Sequence, residues 1–255
     1  MPPVPLLLGG RRLKHRSAGS GDGRIGRALL RIAAAAALVG AAVGCAKYPD
    51  SGRGPAATRL SITMTLAAPP NPNFVYIVAF NPSTETNPTV NGPLPVVAPP
   101  WGNGFVSGNA RYFVRWDITQ SPRYLVYRFQ TPDLLQFVAT GVPINFVDPE
   151  PGSRQIRFEI ELSQIAATLA EAESFRSVQI NFLTMDRVPQ GGSGSKVWDA
   201  LGDGRLPSGI NQFITIPVTI GGTYNNDRFL DLEPTGDVAD PSLDIVDWQV
   251  EVRRQ

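Results

Sequence analysis

From Arg59 onward, apolar and polar residues alternate in a series of short runs. In the first of these, Leu60, Ile62, Met64 and Leu66 are separated by serine and threonine. A period of two places one side of an extended chain in a core and the other side in solvent. The pattern therefore predicts half-buried antiparallel strands. Runs of this kind occur at 60–66, 74–80, 111–119, 124–130, 134–140, 156–162, 177–185, 210–218 and 243–252.

Proline and glycine, of which the chain has 24 and 25, fall mostly between these runs. They fix or permit the backbone angles that turns require. Many short strands with such breaks are typical of sandwiches and barrels. We predict an all-β, antiparallel, jelly-roll-like β-sandwich of about nine strands over 59–255. One short helix is expected at 163–173, where Ser163 can cap the N-terminus and Ile165, Leu169 and Ala172 share a face.

Two connections, 82–108 and 187–209, are long enough to be either functional or disordered. Trp101 lies in the first and Trp198 in the second. An exposed indole can stack on the apolar face of a sugar ring, so both tryptophans are predicted ligand-binding residues. The alternative is that each tryptophan packs its own loop onto the sandwich.

The first 44 residues have a different composition from the rest. They hold seven Lys/Arg against the single acid Asp22, followed by an apolar run at 32–43 and small residues before Cys45. As a helix this run is roughly 18 Å long, against about 30 Å for a bilayer core. Such an order of segments is typical of an export signal, and we predict that 1–44 is a cleaved signal peptide. An uncleaved anchor beginning near Ala28 is the alternative, although Arg31 interrupts it.

The segment Ala42-Val43-Gly44-Cys45 resembles the lipobox of bacterial lipoproteins, with alanine where leucine is usual at position 42. The resemblance implies that lipid such as palmitate is attached to Cys45, the only cysteine, and that the chain is cut before it. A cysteine placed there by chance is the alternative. Residues 45–58 would form the lipidated cysteine and a flexible tether on the order of 20 Å long. Ala46 stands where an aspartate would retain a lipoprotein at the inner membrane, which implies the outer membrane in a cell with two membranes.

Charge and histidine content exclude several functions. Removing 1–44 from the 23 basic and 22 acidic residues leaves 16 and 21, a net charge of −5. Nucleic acid is therefore not an expected partner, since phosphate binding needs concentrated positive charge. The only histidine, His15, lies in the predicted signal, which excludes histidine-dependent catalysis, haem ligation and most zinc sites. We predict no catalytic residue.

An acidic segment late in the chain is a candidate Ca²⁺ site. We predict Asp227, Asp231 and Asp237 as its ligands, since Ca²⁺ prefers hard oxygen ligands and often fixes long loops. A solvated loop is the alternative. The same segment also contains Glu233, Asp240 and Asp244. Asp199 and Asp203, earlier in the chain, form a weaker candidate for the same ion.

Glu159 and Glu161 are the candidate pair for hydrolysis. Two residues apart on one strand, they would lie on one face about 6.5–7 Å apart, near the spacing of the paired acids of glycosidases. An ordinary charged strand face is the alternative interpretation.

The body, 59–255, resembles the DOMON and family-nine-type carbohydrate-binding β-sandwich modules. The resemblance rests on the strands around Trp116 and Tyr124, on 178–186 with the glycine-rich loop and Trp198 that follow, and on the last strand. It implies a non-enzymatic binding module for carbohydrate or another envelope component. A structural or assembly lipoprotein that scaffolds envelope proteins, and a carboxylate-based hydrolase, are the alternatives.

Overall fold

A computed structural model describes residues 57–187, 195–206, 212–227 and 233–254. All of them belong to the second of the two units into which the chain divides, Gly52–Gln255. Cys45, the predicted signal and Asp231 lie outside the described residues. Within the described ranges, no helix has the length and apolar character needed to cross a membrane.

Strands dominate the described residues. Two short helical segments interrupt them, a 3₁₀ turn at Leu162–Ile165 and helix α1 at Leu169–Ser174. The strands, numbered along the chain, are β1 Arg59–Leu66, β2 Phe74–Ser83, β3 Pro93–Pro95, β4 Val106–Gly108, β5 Tyr112–Trp116, β6 Tyr124–Phe129, β7 Phe137–Gly141, β8 Asn145–Val147, β9 Gln155–Glu161, β10 Ser177–Asp186, β11 Trp198–Ala200, β12 Ile214–Pro217, β13 Gly222–Asn225 and β14 Ile245–Arg253.

The strands form two main antiparallel sheets. A five-stranded sheet has the order β13-β14-β1-β9-β8. A seven-stranded sheet has the order β11-β10-β2-β5-β6-β7, and β12 pairs with the first half of β10 beside β11. Strands β3 and β4 form a small separate ladder. The prediction of an all-β antiparallel sandwich is therefore confirmed.

The main core lies between the two sheets. Strand β1 shows the predicted alternation, with Leu60, Ile62, Met64 and Leu66 each at most 1% exposed. They share one cluster with the inward side chains of the seven-stranded sheet and with Trp248 of β14. Burial of this apolar surface is the main source of stability available to a sandwich.

The seven-stranded sheet is buried on its outer face as well, which corrects the prediction of half-buried strands. A second cluster there includes Val75, Ile77, Phe113 and Leu183. Segment 82–108 covers part of this face, because Gln179 donates to the Val90 carbonyl (2.8 Å) and Asn181 to the Pro93 carbonyl (2.9 Å). Strands β2 and β10 are therefore covered on both sides.

The predicted helix at 163–173 is broken in two. Ala166 is extended (φ −133°), and α1 starts after it with the Thr168 hydroxyl, rather than Ser163, accepting from the Glu171 N–H. Of the predicted apolar face, Ile165 and Ala172 are buried. Leu169 is 63% exposed, because the break turns it away from the core.

Candidate functional site

A groove of about 650 Å³ opens at one end of the seven-stranded sheet. Strand pairing brings its parts together, since Phe80 of β2 lies opposite Tyr112 of β5, and Tyr112 lies opposite Arg128 of β6. Gly108 lies on the rim of the groove with a φ of +72°, and a Cβ at this position would collide with the Gly92 carbonyl oxygen. The polar residues that line the groove are Asn81, Asn109, Arg111, Arg128, Gln130 and Thr131.

An ion pair links one side of the groove to helix α1. The Arg111 guanidinium lies 2.6 Å from a Glu171 carboxylate oxygen, and Glu171 also accepts the Ala167 N–H at 2.6 Å. Burial alone would raise the pKa of Glu171, but the hydrogen bonds from Ala167 and Arg111 lower it. Glu171 is therefore ionised and neutralises Arg111.

Arg128 is the second cation of the groove. It is exposed, and among the described residues no carboxylate lies within ion-pair distance of it. A smaller depression of about 170 Å³ shares Tyr112 and Arg128 and adds Ser163 and Gln164. Arg128 thus stands between two adjoining polar depressions. A guanidinium with amide and hydroxyl groups around it suits hydroxyl-rich or anionic ligands.

The structure places the two predicted ligand-binding tryptophans away from this groove. Trp101 is only 8% exposed, in a loop held by Asn103, whose amide donates to Val106 and Leu134 and accepts from Phe105. Trp198 begins β11 and packs, partly buried, against the outer cluster. Neither tryptophan lines the groove. The burial of Trp101 favours the alternative in which it packs its own loop.

The two long loops do meet, through Lys196. Its ammonium donates to the Gly104 carbonyl and lies 3.0 Å from the Met185 sulfur and 5.8 Å from the Phe105 ring centre. Lys196 is 8% exposed, and burial lowers its pKa to about 8 against the opposing effect of Asp186. A charged lysine is therefore held in mainly apolar surroundings between the loops.

Lys196 makes stability rise with pH above neutrality. The folded protein releases the lysine proton near pH 8, whereas the unfolded chain keeps it to about 10.5. Between these values the unfolded state binds more protons, so the free energy of unfolding increases with pH, by about 1–2 kcal/mol from pH 7 to 9.5 once solvent screening is allowed for. Urea unfolding at several pH values between about 7 and 9.5 measures this rise in the free energy of unfolding. Lys196→Met should flatten the slope, whereas the matched variant Arg157→Met, at an exposed position, should keep it. A slope that survives in Lys196→Met contradicts the assignment.

The predicted metal ligands are only partly brought together. Asp231 lies outside the described residues, and Asp227 is exposed and is not among the acids whose oxygens lie close together. Asp237 instead lies with Asp199 and Asp244, and one carboxylate oxygen of each lies within 4.8 Å of those of the other two. Sequence reasoning noted Asp199 and Asp244 as acids of two separate segments. It missed that the start of β14 lies beside β11, since local spacing carries no signal for that contact.

Glu159 and Glu161 do not form a free acid pair. Glu161 lies 3.1 Å from Arg59, and Glu159 lies 3.8 Å from Arg253. Glu159 borders a depression of about 300 Å³ together with Arg157 and Arg253. This arrangement matches the interpretation of an ordinary charged strand face.

Comparison with known proteins returned no matching family model, curated protein or solved structure. The class defined by the fold is an antiparallel β-sandwich domain with a polar groove at one end of its larger sheet.

Proposed function

We propose that this protein is an exported, membrane-tethered lipoprotein whose sandwich domain binds a polar ligand, carbohydrate of the cell envelope, without catalysing a reaction. The groove beside Arg128 is the observation that carries the proposal. Its volume of about 650 Å³ lies within the range of small-molecule sites. It is built on paired strand ends, so its polar groups are largely held in place before a ligand arrives.

The chemistry of the lining supports carbohydrate as the ligand class. Asn109 and Gln130 offer both donors and acceptors, as the hydroxyls of a sugar require. Phe129 and Pro132 add apolar surface beside them. The Arg128 guanidinium favours a sugar with an acidic substituent, because charge-assisted hydrogen bonds are the stronger ones.

A binding role without catalysis is supported by the state of the two candidate acids. A glycosidase needs one carboxylate to attack or activate water and a second to protonate the leaving group. Glu161 is hydrogen-bonded to Arg59, and Glu159 lies within ion-pair distance of Arg253. The lipid anchor, proposed from the resemblance at Cys45, would keep the domain close to envelope glycans.

The groove is tested by Arg128→Gln. We expect the affinity for an acidic envelope glycan, found on a glycan array, to fall about 10- to 100-fold, since a hydrogen bond to a charged group contributes about 1.5–3 kcal/mol. The melting temperature should change little, because Arg128 is exposed. Arg157→Gln is the matched control, an exposed strand arginine of the other sheet. Equal losses in both variants, or an array without any bound glycan, would contradict the proposal.

One observation favours the assembly alternative. Strand β7 is one edge of the seven-stranded sheet and β8 is one edge of the five-stranded sheet, and the segment around them exposes a patch of apolar side chains. Sheet edges and exposed apolar patches are common sites of protein association. A stoichiometric envelope protein that co-purifies with the chain and is lost in Val147→Glu would support this function over glycan binding. The patch consists of Leu135, Val138, Val142, Ile144, Phe146 and Val147.

A further inference from the structure

Four carboxylates gather where β11 meets the start of β14. This acidic cluster consists of Asp199 on β11 with Asp237 and Asp244 from the segment that leads into β14, which lie close together, and of Glu233 from the same segment, whose carboxylate interacts electrostatically with all three. Asp199, Glu233 and Asp244 are 0%, 4% and 2% exposed. The cluster thus places several acids in a largely dry part of the protein.

No cation of the described residues neutralises the acidic cluster. Arg205 is the cation whose charge acts on Asp244. Its guanidinium, however, is half-exposed and donates to Asp203 through two nitrogens at 2.7 and 2.8 Å. Buried charge without a partner is costly, so such a cluster needs positive charge or protons.

Backbone N–H groups hold each carboxylate in place. Asp199 accepts from Ile245 at 2.7 Å and from Ala200 at 2.9 Å. Both oxygens of Asp244 accept from Gly236, at 3.1 and 3.0 Å. Glu233 and Asp237 each use one oxygen, accepting from Gly202 at 3.1 Å and from Gly204 at 2.8 Å. The cluster is therefore a built arrangement rather than a chance grouping of surface acids.

The other oxygens of two of these carboxylates have no hydrogen-bond partner. Glu233 Oε2 and Asp237 Oδ1 are both buried, and neither accepts a hydrogen bond from any described residue. Buried polar atoms are nearly always satisfied, so an orphaned carboxylate oxygen points to a partner beyond the described residues, such as a bound cation. A cation held among the four carboxylates would satisfy both atoms and the negative charge together.

We propose that the acidic cluster is a structural Ca²⁺ site, independent of the glycan-binding groove. Ca²⁺ takes only oxygen ligands at about 2.3–2.6 Å, so ligands on opposite sides of it lie about 4.6–5.2 Å apart. One oxygen each from Asp199, Asp237 and Asp244 would fit within one such sphere, since these three atoms lie within 4.8 Å of one another. Zinc would favour nitrogen or sulfur ligands, which the cluster lacks.

The position of the ion would give it a mechanical role. Asp199 belongs to the edge of the seven-stranded sheet, and Asp244 immediately precedes β14 of the five-stranded sheet. Ca²⁺ bound to both would clamp the two sheets together at this point. The groove lies toward the other end of β2, because Asn81 lines it, whereas Tyr76 of the same strand bonds the Ser242 carbonyl beside the cluster.

Ca²⁺ titration of chelator-stripped protein tests the site. Calorimetry should show one equivalent bound, and the melting temperature should rise with Ca²⁺ and fall again in EDTA. Glu233→Gln keeps the size of the side chain but removes its charge, and should weaken Ca²⁺ binding at least tenfold. The control Asp203→Asn removes a partly buried neighbouring acid that lies outside the acidic cluster, and should bind as the wild type does.

Terbium provides a readout in the wild-type protein that does not depend on the folding of a variant. Luminescence excited through tryptophan and displaced by Ca²⁺ would support the site, since Trp198 adjoins Asp199 in the chain. The proposal is overturned if millimolar Ca²⁺ neither binds nor shifts melting, or if Glu233→Gln binds as well as Asp203→Asn. It is also overturned if Mg²⁺ reproduces the whole melting shift at equal concentration.

Discussion

Cys45→Ser is expected to move the protein from the membrane fraction into the soluble fraction. Under the proposed function, lipid on the Cys45 thiol supplies the membrane affinity, at about 0.8 kcal/mol per buried methylene. A serine hydroxyl does not replace the thiol in that linkage, so the anchor is lost as a whole. Fractionation, together with mass spectrometry of the mature N-terminus, measures both the location and the modification.

Ser51→Ala is the control for the anchor. It alters a small polar residue of the predicted tether and leaves the thiol in place, so this variant should stay in the membrane fraction. Cys45→Ser should also melt like the wild type, because position 45 precedes the predicted sandwich. An unmodified Cys45, or a mature chain that begins upstream of it, would contradict the lipoprotein proposal.

The fold class and the longer strands follow from local pattern. Each of the nine apolar runs overlaps a strand of the structure, because an alternation sustained over several residues is typical of an extended chain with one buried face. The strands β3, β4, β8, β11 and β13 were not predicted. Each has only three or four residues, which is too short to establish a period.

The burial of β2 on both faces was missed, although the sequence carries a signal for it. Val75, Ile77 and Ala79 lie between the inward residues, so the strand is apolar at consecutive positions. Such a run is typical of a strand covered on both sides. What the sequence does not show is the cover itself, since Gln179 and Asn181 hold segment 82–108 through its backbone carbonyls.

The candidate sites depend on contacts between distant parts of the chain. The groove forms where the last residues of β2 and β6 lie beside the first residues of β5, and this arrangement depends on the pairing register of the three strands. The acidic cluster joins Asp199 to a segment that follows it only after two further strands. Acidic composition pointed to Asp227 and Asp237 alike, because no spacing in the segment distinguishes Asp237, which joins the acidic cluster, from Asp227, which is exposed. Local patterns therefore predict elements better than they predict sites.

Trp101→Ala is expected to destabilise the domain by about 3–5 kcal/mol, as is usual when a buried aromatic residue is truncated. Trp101 is 8% exposed, and its loop is fixed by Asn103, so little room exists for the site to collapse around the cavity. For a domain of this size the melting temperature should fall by about 6–20 °C. Thermal and urea unfolding measure the effect.

Glycan affinity separates the packing role of Trp101 from a direct role in recognition. Because Trp101 does not line the groove, the folded fraction of Trp101→Ala should bind the glycan found for the wild type with unchanged affinity. Trp198→Ala is the matched comparison, and its cost in stability should be smaller because that side chain is only partly buried. A Trp101→Ala protein that melts like the wild type but loses glycan binding would contradict the packing role. It would also move the recognition surface from the groove beside Arg128 to the long loops, since an exposed indole that stacks on a base or a sugar contributes about 1–3 kcal/mol to binding and little to folding.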